Sequence, residues 1–319
     1  MSQARPADPR ALEAGLTRRQ FLVGGGVTVA GLAALGIVGW RSWTVRDRWY
    51  RLTGAYGEAG TPPPEYPVFY EYGTLASAHL AADAEYGIAY PPGLPRDGSS
   101  PGSAVPVCIC LPGRGRTPQG ILEGGLRFGD VVADAVAKRG VSPFAVAALQ
   151  ASATYWHGRE AGDDAMAMLL EEFIPLLRRD FGLGGPLAIM GWSMGGYGAL
   201  RAAELRPADF RGVCAVSPAL WQSYEAGVGD AFDSAADYAA HDVYAEVERL
   251  RGLPVRLDCG TKDPFYDAAK AFAESLPEPP AGGFETGGHN GAYWSRVAPA
   301  EADFIGGVLS RAGSSEPEG

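Results

Sequence analysis

Gly191-Trp192-Ser193-Met194-Gly195 sets a hydroxyl nucleophile between glycines two residues away on each side. A serine attacks a carbonyl only when a base removes its proton, so the motif calls for a histidine and a carboxylate elsewhere in the chain. It follows an apolar run, Leu187–Gly191, that reads as a strand. It opens a helical pattern, Gly196–Leu205, stopped by Pro207. That strand–turn–helix setting lifts Oγ above a sheet on a sharp, strained turn, and the glycines remove Cβ atoms that would clash there. The chemistry implied is acyl transfer through a covalent acyl-enzyme.

Four histidines are present: His79, His157, His241 and His289. A serine displayed this way is followed in chain order by the acid and then the base, which leaves His241 and His289. His241 lies in the helical stretch Tyr238–Asp242, ahead of the last core strand. His289 lies in Gly287-Gly288-His289-Asn290, a loop just before the final helix, and is the expected base. The acid belongs in the loop after the strand Val255–Cys259, where Gly260–Phe265 supplies Asp263. Asp267 is the runner-up at the start of the next helix, and Asp258 inside the strand is misdirected. The oxyanion needs two backbone N–H donors. Met194 is expected to give one, and Arg114, in the loop Pro112–Arg116 after the strand ending at Leu111, the other. Trp192 and the segment Trp156-His157-Gly158-Arg159 offer substrate contacts through Trp192, His157 and Arg159, although a hydrogen-bonded turn role suits His157 equally.

The elements that must position these groups alternate between short apolar runs and helical patterns. Val68–Tyr72, Tyr86–Tyr90, Ala104–Leu111, Phe144–Leu149, Leu187–Gly191, Gly212–Val216 and Val255–Cys259 read as strands. Asp130–Lys138, Ala165–Arg179 (with a kink at Pro175), the helix to Leu205 and Tyr293–Leu309 read as helices. Such alternation predicts an α/β fold with a mostly parallel central sheet and helices on both faces. Residues 94–103 read as a loop and 43–65 as a linker. The catalytic domain spans 66–312, and 313–319 forms a disordered tail. The aromatic piece 219–253 is either a cap over the site or plain packing helices. Cys108, Cys110, Cys214 and Cys259 lie in apolar runs and read as buried thiols; their spacing fits no zinc site, and no metal is expected.

Residues 1–42 carry an address. Thr17-Arg18-Arg19-Gln20-Phe21-Leu22 precedes the uncharged stretch Phe21–Trp40, resembling a twin-arginine export signal. Glycine weakens that stretch as a membrane helix, yet it is long enough for an anchor over residues 21–40. The expectation is export to the cell envelope or beyond through the twin-arginine machinery, with membrane attachment as the alternative. A net charge of -10 argues against nucleic acid as a partner.

Gly191–Leu200 resembles the nucleophile segment of the esterase family that includes esterase D (S-formylglutathione hydrolase), feruloyl esterases and the mycolyltransferase antigens. Tyr155–Arg159 and Ser217-Pro218-Ala219-Leu220 resemble segments of its actinobacterial members. The resemblance, over about residues 66–310, implies an α/β-hydrolase fold, no cofactor, and a triad of Ser193, Asp263 and His289. It departs at Leu111, where many α/β-hydrolases have His-Gly ahead of the oxyanion loop. An aspartate acid, where the mycolyltransferases use glutamate, leans toward ester hydrolysis. The expected function is a serine esterase acting on a small-molecule, lipid or sugar ester. The alternatives are an acyltransferase to a sugar or lipid hydroxyl and a non-catalytic binding protein on the same scaffold.

Overall fold

Among the described residues, apolar runs buried on both sides form the centre of one eight-stranded sheet with the order β1-β2-β4-β3-β5-β6-β7-β8. The computed structural model describes residues 43–94, 105–151, 153–224, 228 and 230–311. The arginine pair, the stretch 21–40, most of the loop 94–103 and the tail 313–319 therefore lie outside the described residues. Within them, no helix is long and apolar enough to cross a membrane.

The strands are β1 (Phe69–Leu75), β2 (Ala84–Tyr90), β3 (Val107–Leu111), β4 (Ala145–Leu149), β5 (Leu187–Trp192), β6 (Val213–Val216), β7 (Val255–Gly260) and β8 (Ala281–Glu285). β2 runs antiparallel to β1 and β4, and all other pairs are parallel. Period-2 alternation divides the central strands between two cores. Ile109 and Leu111 face one side with the helical run 165–180 (α4), Met194–Leu205 (α5) and Tyr266–Ser275 (α7). Cys108 and Cys110 face the other with Phe128–Arg139 (α3) and Gly291–Ser310 (α8). All four cysteines are buried and free, as their apolar surroundings suggested.

Several elements differ from expectation. The predicted linker 43–65 contains a helix, Trp43–Thr53 (α1). A short helix, Pro118–Leu122 (α2), starts at Thr117, whose side chain accepts the Gly120 N–H. β8 has no apolar run: its residues are Ala-Gly-Gly-Phe-Glu, held by the ladder to β7 at the sheet edge. Pro175 does disturb its helix, in the form of a π turn over Met168–Phe173 rather than a break. The Ile174 N–H reaches back to the Leu169 carbonyl, and the wider turn makes room for the proline ring. Between β6 and β7, the helix Ala235–Ala240 (α6) packs beside α5, where the Tyr197 hydroxyl donates to the His241 carbonyl. The earlier part of that excursion holds Trp221, whose ring packs on Phe265, and Asp230, which pairs with Arg114.

The strand order reverses between β3 and β5. Chain leaving β3 goes to one side and chain leaving β5 to the other, so their carboxyl ends border a crevice. Leu111 pairs with Gly191 there, which brings the loop Pro112–Arg116 beside the turn carrying Ser193.

Candidate active site

Ser193 sits between β5 and α5 with φ 57° and ψ -119°, a backbone state that costs about 1–3 kcal/mol. The turn holds because its neighbours fix it. The Ser193 N–H donates to the Val216 carbonyl at 2.9 Å, and the Ser193 carbonyl accepts from Tyr197 and Ala219. The flanking glycines are obligatory. A Cβ on Gly195 would overlap the Leu111 carbonyl, and one on Gly191 would overlap the Gly195 carbonyl.

His289 is held by two devices. Asn290 caps α8, its side chain accepting the Tyr293 N–H. The histidine loop is also zipped to the acid loop: Thr261 N–H donates to the Glu285 carbonyl and Lys262 N–H to that of Gly287, both at 2.8 Å. Glycine at 260 and 287 allows this approach, since a Cβ on Gly260 would strike the Gly287 backbone. Asp263, its side chain fully buried, accepts the Phe265 N–H through Oδ1 and turns Oδ2 to His289.

The three groups form one hydrogen-bonded chain. Ser193 Oγ lies 2.8 Å from His289 Nε2, and His289 Nδ1 lies 2.9 Å from Asp263 Oδ2. With the proton on Nδ1, the histidine donates to the carboxylate and accepts from the serine hydroxyl. This is the geometry in which a base can take the serine proton while the resulting imidazolium is stabilised from behind. Neither His241 nor Asp258 joins it. His241 Nδ1 is bound to Asp237, and Asp258 is paired with Arg256 at 2.6 Å.

The two segments expected to supply the oxyanion donors lie beside the serine turn. Met194 opens α5, so its N–H is one of the helix N-terminal donors without an intrahelical acceptor. Gly113 lies over Ser193: a Cβ there would be 3.4 Å from Ser193 Cβ. Arg114 follows in a turn closed by the Arg116 N–H on the Gly113 carbonyl. The Arg114 side chain crosses to Asp230 at 3.1 Å, tying the loop to the excursion after β6.

The structure puts His157 and Arg159 to other use. His157 is buried, with Nε2 2.8 Å from the Ala231 carbonyl and Nδ1 3.0 Å from that of Gly158, and it stacks on Phe232. Burial lowers its pKa. Arg159 grips both oxygens of Asp233, at 2.7 and 3.1 Å, and its guanidinium helps to bring that carboxyl down to about 2. Both residues brace the 231–233 segment, with their polar groups spent inside the protein. Trp192 is buried edge-on against Phe128 and lines a cavity beside the serine.

Sequence reasoning missed an aromatic collar on the histidine. Phe265 and Trp294 pack edge-on to His289, with centroids 5.4 and 5.3 Å away, and Trp221 packs on Phe265. Trp294 Nε1 donates to the buried Ser217 hydroxyl at 3.0 Å. Trp294 stands five residues after the base, in the first turn of α8, which is a signal the sequence carried.

A family model described as "Putative esterase" matches residues 88–279, more than half of the chain and short of His289. No curated protein sequence matches. Among solved structures, a ferulic acid esterase superposes with TM-score 0.65 at 20% identity, covering 76% of this chain and all of that one. The S-formylglutathione hydrolase of Agrobacterium tumefaciens gives 0.60 at 15% identity, over 79% and 99%. A fluorophosphonate-binding serine hydrolase of Staphylococcus aureus gives 0.62 at 15%, over 75% and 99%. At such identities the likeness establishes a shared fold, here that of the α/β-hydrolases. With the family match covering most of the sheet and the nucleophile turn, the chain belongs to this esterase family.

Proposed function

We propose that the chain is an exported serine carboxylic-ester hydrolase that works through an acyl-enzyme on Ser193. The observation that carries this reading is the hydrogen-bonded chain from Ser193 through His289 to Asp263. As Ser193 Oγ attacks the ester carbonyl, His289 Nε2 takes its proton, and Asp263 stabilises the imidazolium. The N–H groups of Met194 and Arg114 receive the oxyanion. Collapse expels the alcohol, which takes the proton from His289. Water, deprotonated by the same histidine, then releases the acid.

Hydrolysis is favoured over transfer to a sugar or lipid hydroxyl by the aspartate acid, since the resembling transferases use glutamate. Export in the folded state is supported by Arg18-Arg19 ahead of a glycine-rich apolar stretch.

The test is steady-state and burst kinetics on p-nitrophenyl esters, with Ser193→Ala as control and trehalose or glycerol as acceptor. Hydrolysis lost in the variant, with free acid as product at every acceptor concentration, supports the reading. Acylated acceptor as the main product would replace it with the transferase. A folded chain without turnover would favour a binding protein.

A further inference from the structure

Two cavities share a wall beside the serine. The nearer, about 270 Å³, is bounded by the oxyanion loop at Gly113 and Gly115, by Trp192, and by Trp294 of α8. The farther, about 370 Å³, lies under a strap of residues 59–63 and against α3. Gly125, Leu126 and Gly291 line both. At Gly115, Gly125 and Gly291 a Cβ would meet nothing within 4 Å, so these positions border open space.

The strap is a fixed roof. At one end the Gly60 N–H donates to Ser295 Oγ at 3.1 Å, so close to α8 that a Cβ on Gly60 would overlap the Ser295 carbonyl. At the other, the Tyr66 N–H donates to Asp130 Oδ1 of α3 at 2.9 Å. Pro62 and Pro63 stiffen the span between these anchors.

The walls select an uncharged occupant. Ile121, Leu126 and the two tryptophans dominate the near cavity, with the exposed Arg116 its one charged residue. In the far cavity the charges are matched internally: Arg127 pairs with Asp130, and Arg139 with Asp134, each at 2.8 Å. An apolar-lined space whose buried charges are paired, with Arg116 at its exposed edge, fits a methylene chain better than a sugar, which would need free polar partners.

We propose that this channel holds the non-reacting arm of the ester, an unbranched aliphatic chain of medium length. The proposal rests on Ser193 being the nucleophile. Each methylene buried in the channel is worth at most about fourfold in kcat/KM. The four methylenes between butyrate and octanoate can therefore raise it by up to about two-hundredfold, and realising half of that free energy would still exceed tenfold.

The test uses the full chain with p-nitrophenyl acetate, butyrate, octanoate and decanoate, and in parallel with ethyl, butyl and octyl acetates. Gly125→Leu and Gly291→Leu place a side chain in the open space. The readout is the octanoate-to-butyrate ratio of kcat/KM, or its alkyl acetate equivalent, with fluorophosphonate labelling of Ser193 to show an assembled site. A tenfold or larger ratio in the wild type, falling toward one in the labelled variants, supports the channel. A ratio that rises only in the alkyl acetate series also supports it, with the chain on the alcohol side. Flat or falling profiles in both series overturn it, as does a ratio unchanged in both labelled variants; in either case the esterase reading stands. No label and no hydrolysis of any ester would overturn the esterase reading and the channel together.

Discussion

Glu204 on α5 is fully buried, and neither carboxyl oxygen has a hydrogen-bond partner. The Arg201 guanidinium is 3.6 Å from Oε2, too far to bond. Burial pushes its pKa up to about 9 from an ordinary 4.5, against the opposing pull of Arg201. The folded protein therefore keeps a proton that the unfolded chain releases. Between pH 4.5 and 9 the native state binds more protons than the unfolded state, so stability falls as pH rises through this window. At pH 7 the interval is 2.5 pH units at about 1.36 kcal/mol each, a loss of about 3 kcal/mol relative to pH 4.5. Glu204→Gln keeps the shape and removes the titration. It is expected to match the wild type near pH 4.5 and to exceed it by about 3 kcal/mol at pH 7. For a domain of this size that is a rise in Tm of about 6–10 °C. Calorimetry on both proteins across pH 4.5–8 checks this. A difference that does not change with pH, or a variant less stable at pH 7, would refute the reasoning.

Three other outcomes follow from the site. Gly195→Ala drives a methyl into the Leu111 carbonyl, so the turn cannot form as it stands; expect loss of Ser193 labelling and a large loss in Tm or soluble yield. Asp263→Asn keeps the hydrogen-bonding shape but removes the charge behind His289, and should lower kcat by about three to four orders of magnitude with little change in KM. Arg159→Ala breaks the pairing with Asp233 and should cost about 1–2 kcal/mol in urea unfolding while leaving KM within about twofold. A KM effect of tenfold or more would return Arg159 to the substrate.

What the sequence made legible was what periodicity and local constraint decide. The buried parallel strands announced themselves as continuous apolar runs, and the glycines around Ser193 carried the steric signature of their turn. His289 was found by chain order and its glycine-flanked loop, and Asp263 by its place after a core strand. β8 was invisible because an edge strand of alanine, glycine, phenylalanine and glutamate is specified by the ladder of β7 and not by its own side chains. The roles of His157 and Arg159 depend on Ala231 and Asp233, more than seventy residues away, and no local pattern encodes that pairing. The strap over 59–63 escaped notice for the same reason, since its anchors are Ser295 and Asp130.

The central claim is that Ser193 is an activated nucleophile. Treating the full chain with a fluorophosphonate and mapping the adduct by mass spectrometry tests it most directly. The account requires a single adduct on Ser193, abolished in Ser193→Ala and in His289→Ala. No adduct on the folded protein, or an adduct on another residue that survives Ser193→Ala, would contradict it.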